Sequence, residues 1–230
     1  MKVLRPRLDP EARFGLRLTL LALAVLLVAV PFGALLEQVT DRGPLTHVDT
    51  SAANHLHHWV RHDPALVHVL RAVTTLGATW FLASVTAIGV VALLRAHRGR
   101  AAVYLVATTT TSGVLVQLVK AWVSRPRPSL VAPVATASGK SFPSGHAMGA
   151  TVVYGALLVV FASGAARRPR RWVIAGGVAL VAAIGFTRLA LGVHYISDVL
   201  AGYVLGLAWL AAATAAFRVW RREQAEEASP

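Results

Sequence analysis

Six apolar runs divide this 230-residue chain, at roughly residues 16–36, 76–94, 101–123, 145–166, 172–189 and 195–217. Each approaches the ~20 residues that a helix needs to cross the hydrocarbon core of a bilayer. Lipid offers no partner to an open backbone N–H or C=O, so a spanning segment must be a helix or part of a closed barrel. The period-two alternation of barrel strands is absent. The expected fold class is therefore all-α, a six-transmembrane-helix bundle. The second run has an alternative start just after Pro64. The first follows a basic stretch, as a signal peptide would, but its apolar core is too long and no small-x-small cleavage site follows. It reads as an uncleaved anchor.

Composition narrows the class further. The chain is 56% hydrophobic and 14% charged, which is too apolar for an ordinary soluble domain of this size. It has no cysteine, which excludes disulfides, thiolate catalysis and Cys-ligated zinc. The net charge of +13 does not indicate nucleic acid, because Lys and Arg fall in short clusters between apolar runs and form no basic face interleaved with aromatics.

The charge follows membrane topology instead. With the N-terminus in the cytoplasm, the inward segments carry 15 Lys and Arg residues and the outward segments carry 8. Both termini then lie in the cytoplasm of a multi-pass plasma-membrane (inner-membrane) protein. The expected organisation is a basic N-terminus over residues 1–15, a membrane body over 16–217 and a disordered polar tail over 218–230. The stretch from Thr46 to His68 holds six of the nine histidines. It reads as an amphipathic interfacial helix over about 49–63, with Asp49 as N-cap, Trp59 at the interface and Pro64 at a break. His55, His58 and His62 share a helical face, but no carboxylate is placed to complete a metal site, and none is expected.

Three polar clusters fall on the outer side. Charges in or beside a span cost several kcal/mol unless they pair or work. In Arg188-Leu-Ala-Leu-Gly-Val-His194-Tyr-Ile-Ser-Asp198, a helix starting near residues 192–194 puts His194 and Asp198 on one face. The carboxylate can then accept one ring N–H, orient the imidazole and stabilise the charge that develops when the other nitrogen attacks an electrophile. Arg188 can clamp a phosphate. An Arg–Asp pair closing a loop beside an interfacial histidine would use the same residues. In Pro143-Ser144-Gly145-His146, Ser144 is a natural N-cap, and Gly145 lets a ligand approach the backbone. The free N–H groups there attract an anion, and His146 can donate a proton. In Lys120-Ala-Trp-Val-Ser-Arg-Pro-Arg127-Pro128, Lys120 and Arg127 can reach a surface phosphate. Snorkelling is the alternative; it suits Arg125 well and Lys120 less.

Taken together the clusters resemble the signature of the type 2 phosphatidic acid phosphatase superfamily, the lipid phosphate phosphatases. The pattern is K-x-x-x-x-x-x-R-P, then P-S-G-H, then S-R-x-x-x-x-x-H-x-x-x-D. Lys120, Arg127 and Pro128 match the first block, Pro143 to His146 the second, and Arg188, His194 and Asp198 the third. Thr187 stands where the pattern has Ser and keeps the hydroxyl. The resemblance implies His194 as nucleophile with a phosphohistidine intermediate, Asp198 as its orienting partner and His146 as acid and then base. It also implies Lys120, Arg127, Ser144, Gly145 and Arg188 around the phosphate, with Thr187, Pro128 and Pro143 as accessories, and no metal or other cofactor. The expected substrate is a lipid phosphate or diphosphate, first a polyprenyl (undecaprenyl-type) diphosphate, then phosphatidate or phosphatidylglycerophosphate. A vanadate-dependent haloperoxidase, a non-catalytic lipid-phosphate binder or transporter and an ion pathway are the weaker alternatives. The oligomeric state is open. Gly145 and Gly149, with Gly202 and Gly206, form small-residue stripes expected to bring the helices of His146 and His194 together.

Overall fold

A computed structural model describes residue 26 and residues 28–41, 43–130, 133–162 and 167–227. Its described residues form helices and no strands. They are α1 (Val28–Thr40), α2 (Pro44–Val60), α3 (Pro64–Thr75), α4 (Thr79–Arg95), α5 (Gly99–Val123), α6 (Gly145–Phe161), α7 (Arg167–Ala190) and α8 (Ile196–Glu227). Segments of α5, α7 and α8 are long and apolar enough to cross a membrane, and α3 with α4 makes a fourth span if that pair, bent by 43°, is counted as one. The apolar helices α1 and α6 are shorter. The start of the first apolar run and the N-terminal segment 1–15 lie outside the described residues.

Two sequence expectations change. Helix α8 continues to Glu227, through most of the region expected to be a disordered tail. Arg, Gln, Ala and Glu are good helix formers, so residues 221–227 prolong an established helix. The second helix begins at Pro44 with Gly43 as its N-cap, not at Asp49. Proline fits the first turn, where its missing N–H costs nothing. Asp49 lies inside the helix, on a buried stripe with Ala53, His57 and Val60, while Trp59 is exposed.

The bend between α3 and α4 has a local cause. Asp63 caps α3 by accepting the Leu66 N–H at 3.0 Å. At the other end, a Cβ on Gly77 would stand 2.5 Å from Ile184 Cγ2 and 3.1 Å from His146 Cδ2. Only glycine permits that approach. The Tyr154 hydroxyl on α6 donates to the Leu76 carbonyl at 2.8 Å, giving a partner to a group the break leaves open.

Helices α6 and α8 meet most closely. A Cβ on Gly202 would lie 2.7 Å from the Ser144 carbonyl oxygen, and one on Gly206 2.9 Å from Thr151 Cβ. The α8 stripe therefore faces α6 as expected. The α6 stripe does not face α8: a Cβ on Gly149 would meet Leu82 of α4, and one on Gly145 only the Lys120 stem of α5. Ala147 and Met148 supply the α6 surface that receives Gly202. Replacing Gly202 with Leu is expected to destabilise the fold by about 1–3 kcal/mol through overpacking. Thermal unfolding in detergent should show a lowered midpoint. Gly176→Leu should not, because a Cβ added there would meet nothing within 4 Å.

Candidate active site

Three chain segments converge at one end of the α6–α8 contact. The Ser144 N–H donates to the Asp198 carbonyl at 2.9 Å, so the start of α6 is tied to the start of α8. Ser144 caps α6, its hydroxyl accepting the Ala147 N–H at 3.5 Å. The N–H groups of Gly145 and His146, in the first turn, have no acceptor within the helix. The Lys120 stem passes beside Gly145, and its ammonium donates to the Lys140 carbonyl at 2.6 Å.

His194 sits between α7 and α8 and is buried. Its Nδ1 is 3.3 Å from Asp198 Oδ2, which also accepts the Tyr195 N–H at 2.9 Å. Its Nε2 is 3.0 Å from an Arg127 N–H nitrogen. A guanidinium has donors only, so Nε2 must present its lone pair and Nδ1 carries the proton toward Asp198. This is the tautomer that nucleophilic attack from Nε2 requires. Burial, with Arg127 and Arg188 adding to it, holds His194 down to about 4 against the opposing pull of Asp198. The contact with Asp198 is therefore a hydrogen bond to a neutral ring near pH 7.

The cations are held by uncharged oxygens. Arg127 donates to the carbonyls of Val193 (2.8 Å), Ser138 (3.0 Å) and Gly139 (3.1 Å). Arg188 donates to Thr74 Oγ1 at 2.8 Å, and its buried Nε has no partner among the described residues. A buried unpaired guanidinium N–H is costly and suits a site that receives an anion. His146 lies within electrostatic range of Arg188, His194, Arg127 and Lys120. Thr187 is buried, and its hydroxyl donates to the Ile184 carbonyl at 2.6 Å, so that proton is engaged within α7. Pro143 is buried, and Pro128 is half-buried beside Arg127. The described residues contain no cluster of three or more His, Asp or Glu arranged for a metal.

Two residues with a bearing on the site were assigned other roles in the sequence. Arg125 does not snorkel. It is buried, and donates to Asp198 Oδ1 at 2.7 Å and to Asp49 Oδ2 at 2.9 Å. The local cues were thin: a second Arg-Pro step before Arg127-Pro128, and an aspartate in register with Ala53, His57 and Val60.

A neutral, oriented imidazole facing guanidinium groups, beside a second histidine and a capped helix start, is suited to transfer of a phosphoryl group through nitrogen. Comparison with known proteins agrees with that chemistry. Residues 101–222 match the PAP2 superfamily. The chain is 32% identical over 149 residues to phosphatidylglycerophosphatase B of Bacillus subtilis, covering 63% of this chain and 72% of that protein. It is 35% identical over 121 residues to lipid A 1-phosphatase of Rhizobium johnstonii, covering 49% of this chain and 46% of that one. Its fold is similar to the crystal structure of a transmembrane PAP2-type phosphatidylglycerolphosphate phosphatase from Bacillus subtilis. The TM-score is 0.73 at 24% identity, over 82% of this chain and 94% of the other. The protein belongs to the PAP2 superfamily. It is a multi-pass membrane hydrolase of phosphate esters, in a family of lipid phosphatases.

Substituting Asp198 with Asn should remove the carboxylate that fixes the ring. We expect kcat to fall by roughly 10³–10⁴-fold, by analogy with loss of the orienting aspartate in a catalytic triad. Substrate affinity should change little. Steady-state phosphate release, with KM measured separately, checks both.

Proposed function

We propose that the protein removes phosphate from membrane lipids at the extracytoplasmic face through a phosphohistidine on His194. The observation that supports this above others is the chain Asp198–His194–Arg127, with the ring neutral and its Nε2 lone pair under a cation. In the first step Nε2 attacks phosphorus and the bond to the lipid oxygen breaks. His146 gives its proton to that leaving oxygen. In the second step neutral His146 takes a proton from water, whose oxygen attacks phosphorus. The P–N bond breaks, and inorganic phosphate leaves. Asp198 holds the Nδ1 proton throughout and stabilises the cationic ring of the intermediate.

Arg127, Arg188 and Lys120 surround the phosphoryl oxygens, with the Ser144 hydroxyl and Gly145 N–H at the start of α6. Charge that builds on those oxygens is met by donors fixed beforehand, where a metal would otherwise serve. Arg127 leaves Nε2 as the anion arrives and redirects its N–H hydrogen bond to a phosphoryl oxygen. Thr187, Pro128 and Pro143 shape the backbone around these groups.

Six crossings follow if α1, the bent α3–α4 pair, α5, α6, α7 and α8 each span, with α2 lying at the outer interface. The excess of Lys and Arg in the alternate loops then puts both termini in the cytoplasm and the site outside. A groove of about 630 Å³ between α4, α5 and α6 is lined by Ala83, Val90, Val106, Gly113 and Gly149, among others, and reaches Gly145. It suits an apolar chain whose phosphate rests at the α6 start. The Bacillus relative supports phosphatidylglycerophosphate as substrate. Polyprenyl diphosphate, first in the sequence reading, is the comparison arm of the test.

Phosphate release from phosphatidylglycerophosphate, phosphatidate and undecaprenyl diphosphate should proceed with EDTA present and vanish in His194→Ala. Quenching with radiolabelled substrate should trap an acid-labile, base-stable phosphoenzyme. A requirement for a divalent metal, or turnover that survives loss of His194, would refute the mechanism.

The pH profile should be bell-shaped. The acid limb comes from His194, which must be neutral to attack. Its depressed proton affinity means that kcat/KM is lost on the acid side as pH drops through about 4. The alkaline limb comes from His146, which must carry the proton it donates to the leaving oxygen. Initial rates from pH 3 to 10 test this, and a monotonic profile is the contrary result.

A further inference from the structure

We propose that Arg125, held between Asp49 of α2 and Asp198 of α8, is a positioning residue that aims the Asp198 carboxylate at His194 without cancelling its charge. The catalytic part of this inference rests on His194 being the nucleophile; the electrostatic part does not.

The geometry gives each Asp198 oxygen a separate task. Oδ1 accepts Arg125 at 2.7 Å, while Oδ2 accepts the Tyr195 N–H at 2.9 Å and faces His194 Nδ1 at 3.3 Å. With both oxygens engaged the carboxylate cannot rotate away from the ring. Arg125 is fixed in turn. It donates to Asp49 Oδ2 at 2.9 Å and to Ser197 Oγ at 2.7 Å, and its guanidinium lies 4.2 Å from the Tyr195 ring centroid. Asp49 Oδ1 accepts the Ser197 N–H at 3.0 Å, and Oδ2 accepts the Ser197 hydroxyl. Asp49, Arg125, Ser197 and Asp198 are all buried. Three segments far apart in the chain thus close one ring of bonds behind the histidine.

The second carboxylate carries the argument. A lone buried arginine on Asp198 would satisfy it but also draw its negative charge away from the imidazole. Asp49 makes its pair with Arg125 electrically neutral. The pair can therefore direct Asp198 by hydrogen bonding while leaving that charge to support a cationic His194 in the intermediate.

Other ionisable groups also face His194. They are Arg127 from the loop after α5, Arg188 from α7 and His146 from α6, while Lys120 of α5 lies within electrostatic range of Arg127, Arg188 and Asp198. His57 of α2 approaches the adjacent turn at Gly192. Asp49 and Arg125 differ from all of these in reaching the ring through Asp198.

The test is a histidine NMR titration of the isotopically labelled full chain in detergent micelles, with His194 assigned by the signal lost in His194→Ala. Removing the cation in Arg125→Gln should raise the titration midpoint of His194. Removing the anion in Asp49→Asn should lower it. A shift of about half a unit to one unit is expected in each. Arg125→Lys, which keeps the charge, should return the midpoint toward wild type. In phosphate release from short-chain phosphatidate, Arg125→Gln and Asp49→Asn should each lower kcat by about 10- to 100-fold. KM should stay within about twofold, because neither residue touches the anion.

Midpoints that stay put, or move the same way in both variants, overturn the proposal and leave Arg125 and Asp49 as a structural brace. Should Arg125→Gln fail to fold, Asp49→Asn decides, since it keeps the shape and an oxygen for the Ser197 N–H. Phosphate release surviving in His194→Ala would instead overturn the nucleophile assignment, and the opposed titration shifts would still support or sink the electrostatic claim.

Discussion

Everything at the site depends on how closely α8 lies against α6. Gly202 offers no side chain where the Ser144 carbonyl passes, and the Ser144 N–H reaches the Asp198 carbonyl. The helix that starts with the P-S-G-H turn and the helix that starts just after His194 are thereby joined at their N-termini. The α6 start exposes a partly positive backbone end there, while the α8 start is already met by the Asp49 and Asp198 carboxylates. In a membrane this close packing is carried by small residues and directional bonds, because lipid tails give apolar side chains little reason to prefer one another.

The charges around that junction are arranged in two layers. Arg127, Arg188, Lys120 and His146 lie within electrostatic range of one another, and backbone carbonyls or Thr74 hold the first three. Arg125 and the two aspartates lie behind His194, where hydrogen bonds within the protein satisfy their charged atoms. Buried ions are tolerated only on such terms; breaking one partner of a buried pair typically costs about 3–5 kcal/mol. The first layer uses neutral partners, backbone carbonyls and the Thr74 hydroxyl. The back layer uses full charges that nothing entering the site can displace.

Much of this could be read from the chain itself, for physical reasons. The apolar runs mark helices because lipid permits little else, and the runs after residue 99 begin within about five residues of the starts of α5 to α8, although α8 continues well past the last run. The three polar clusters stand out because a charge beside hydrocarbon needs an explanation. What the sequence hid was partnership across distance. Asp49 and Arg125 are 76 residues apart. Locally, an aspartate in a histidine-rich amphipathic stretch resembles a cap, and an arginine just beyond a helix resembles a snorkelling one. The glycine stripes were half legible for a related reason. With Ala147, Ala150 and Thr151 beside Gly149, α6 is small on several sides, and spacing alone cannot say which side meets α8. Where α2 begins depended on Pro44, whose fit to a first turn outweighed the capping preference of Asp49.

The contact between Arg127 and His194 Nε2 has a further consequence. The lone pair with which the ring would react is already occupied by a donor, so an uncharged electrophile drifting through the lipid finds it covered. If His194 is the nucleophile, a ligand negative enough to draw the guanidinium aside would uncover that lone pair, and an uncharged group would leave it covered.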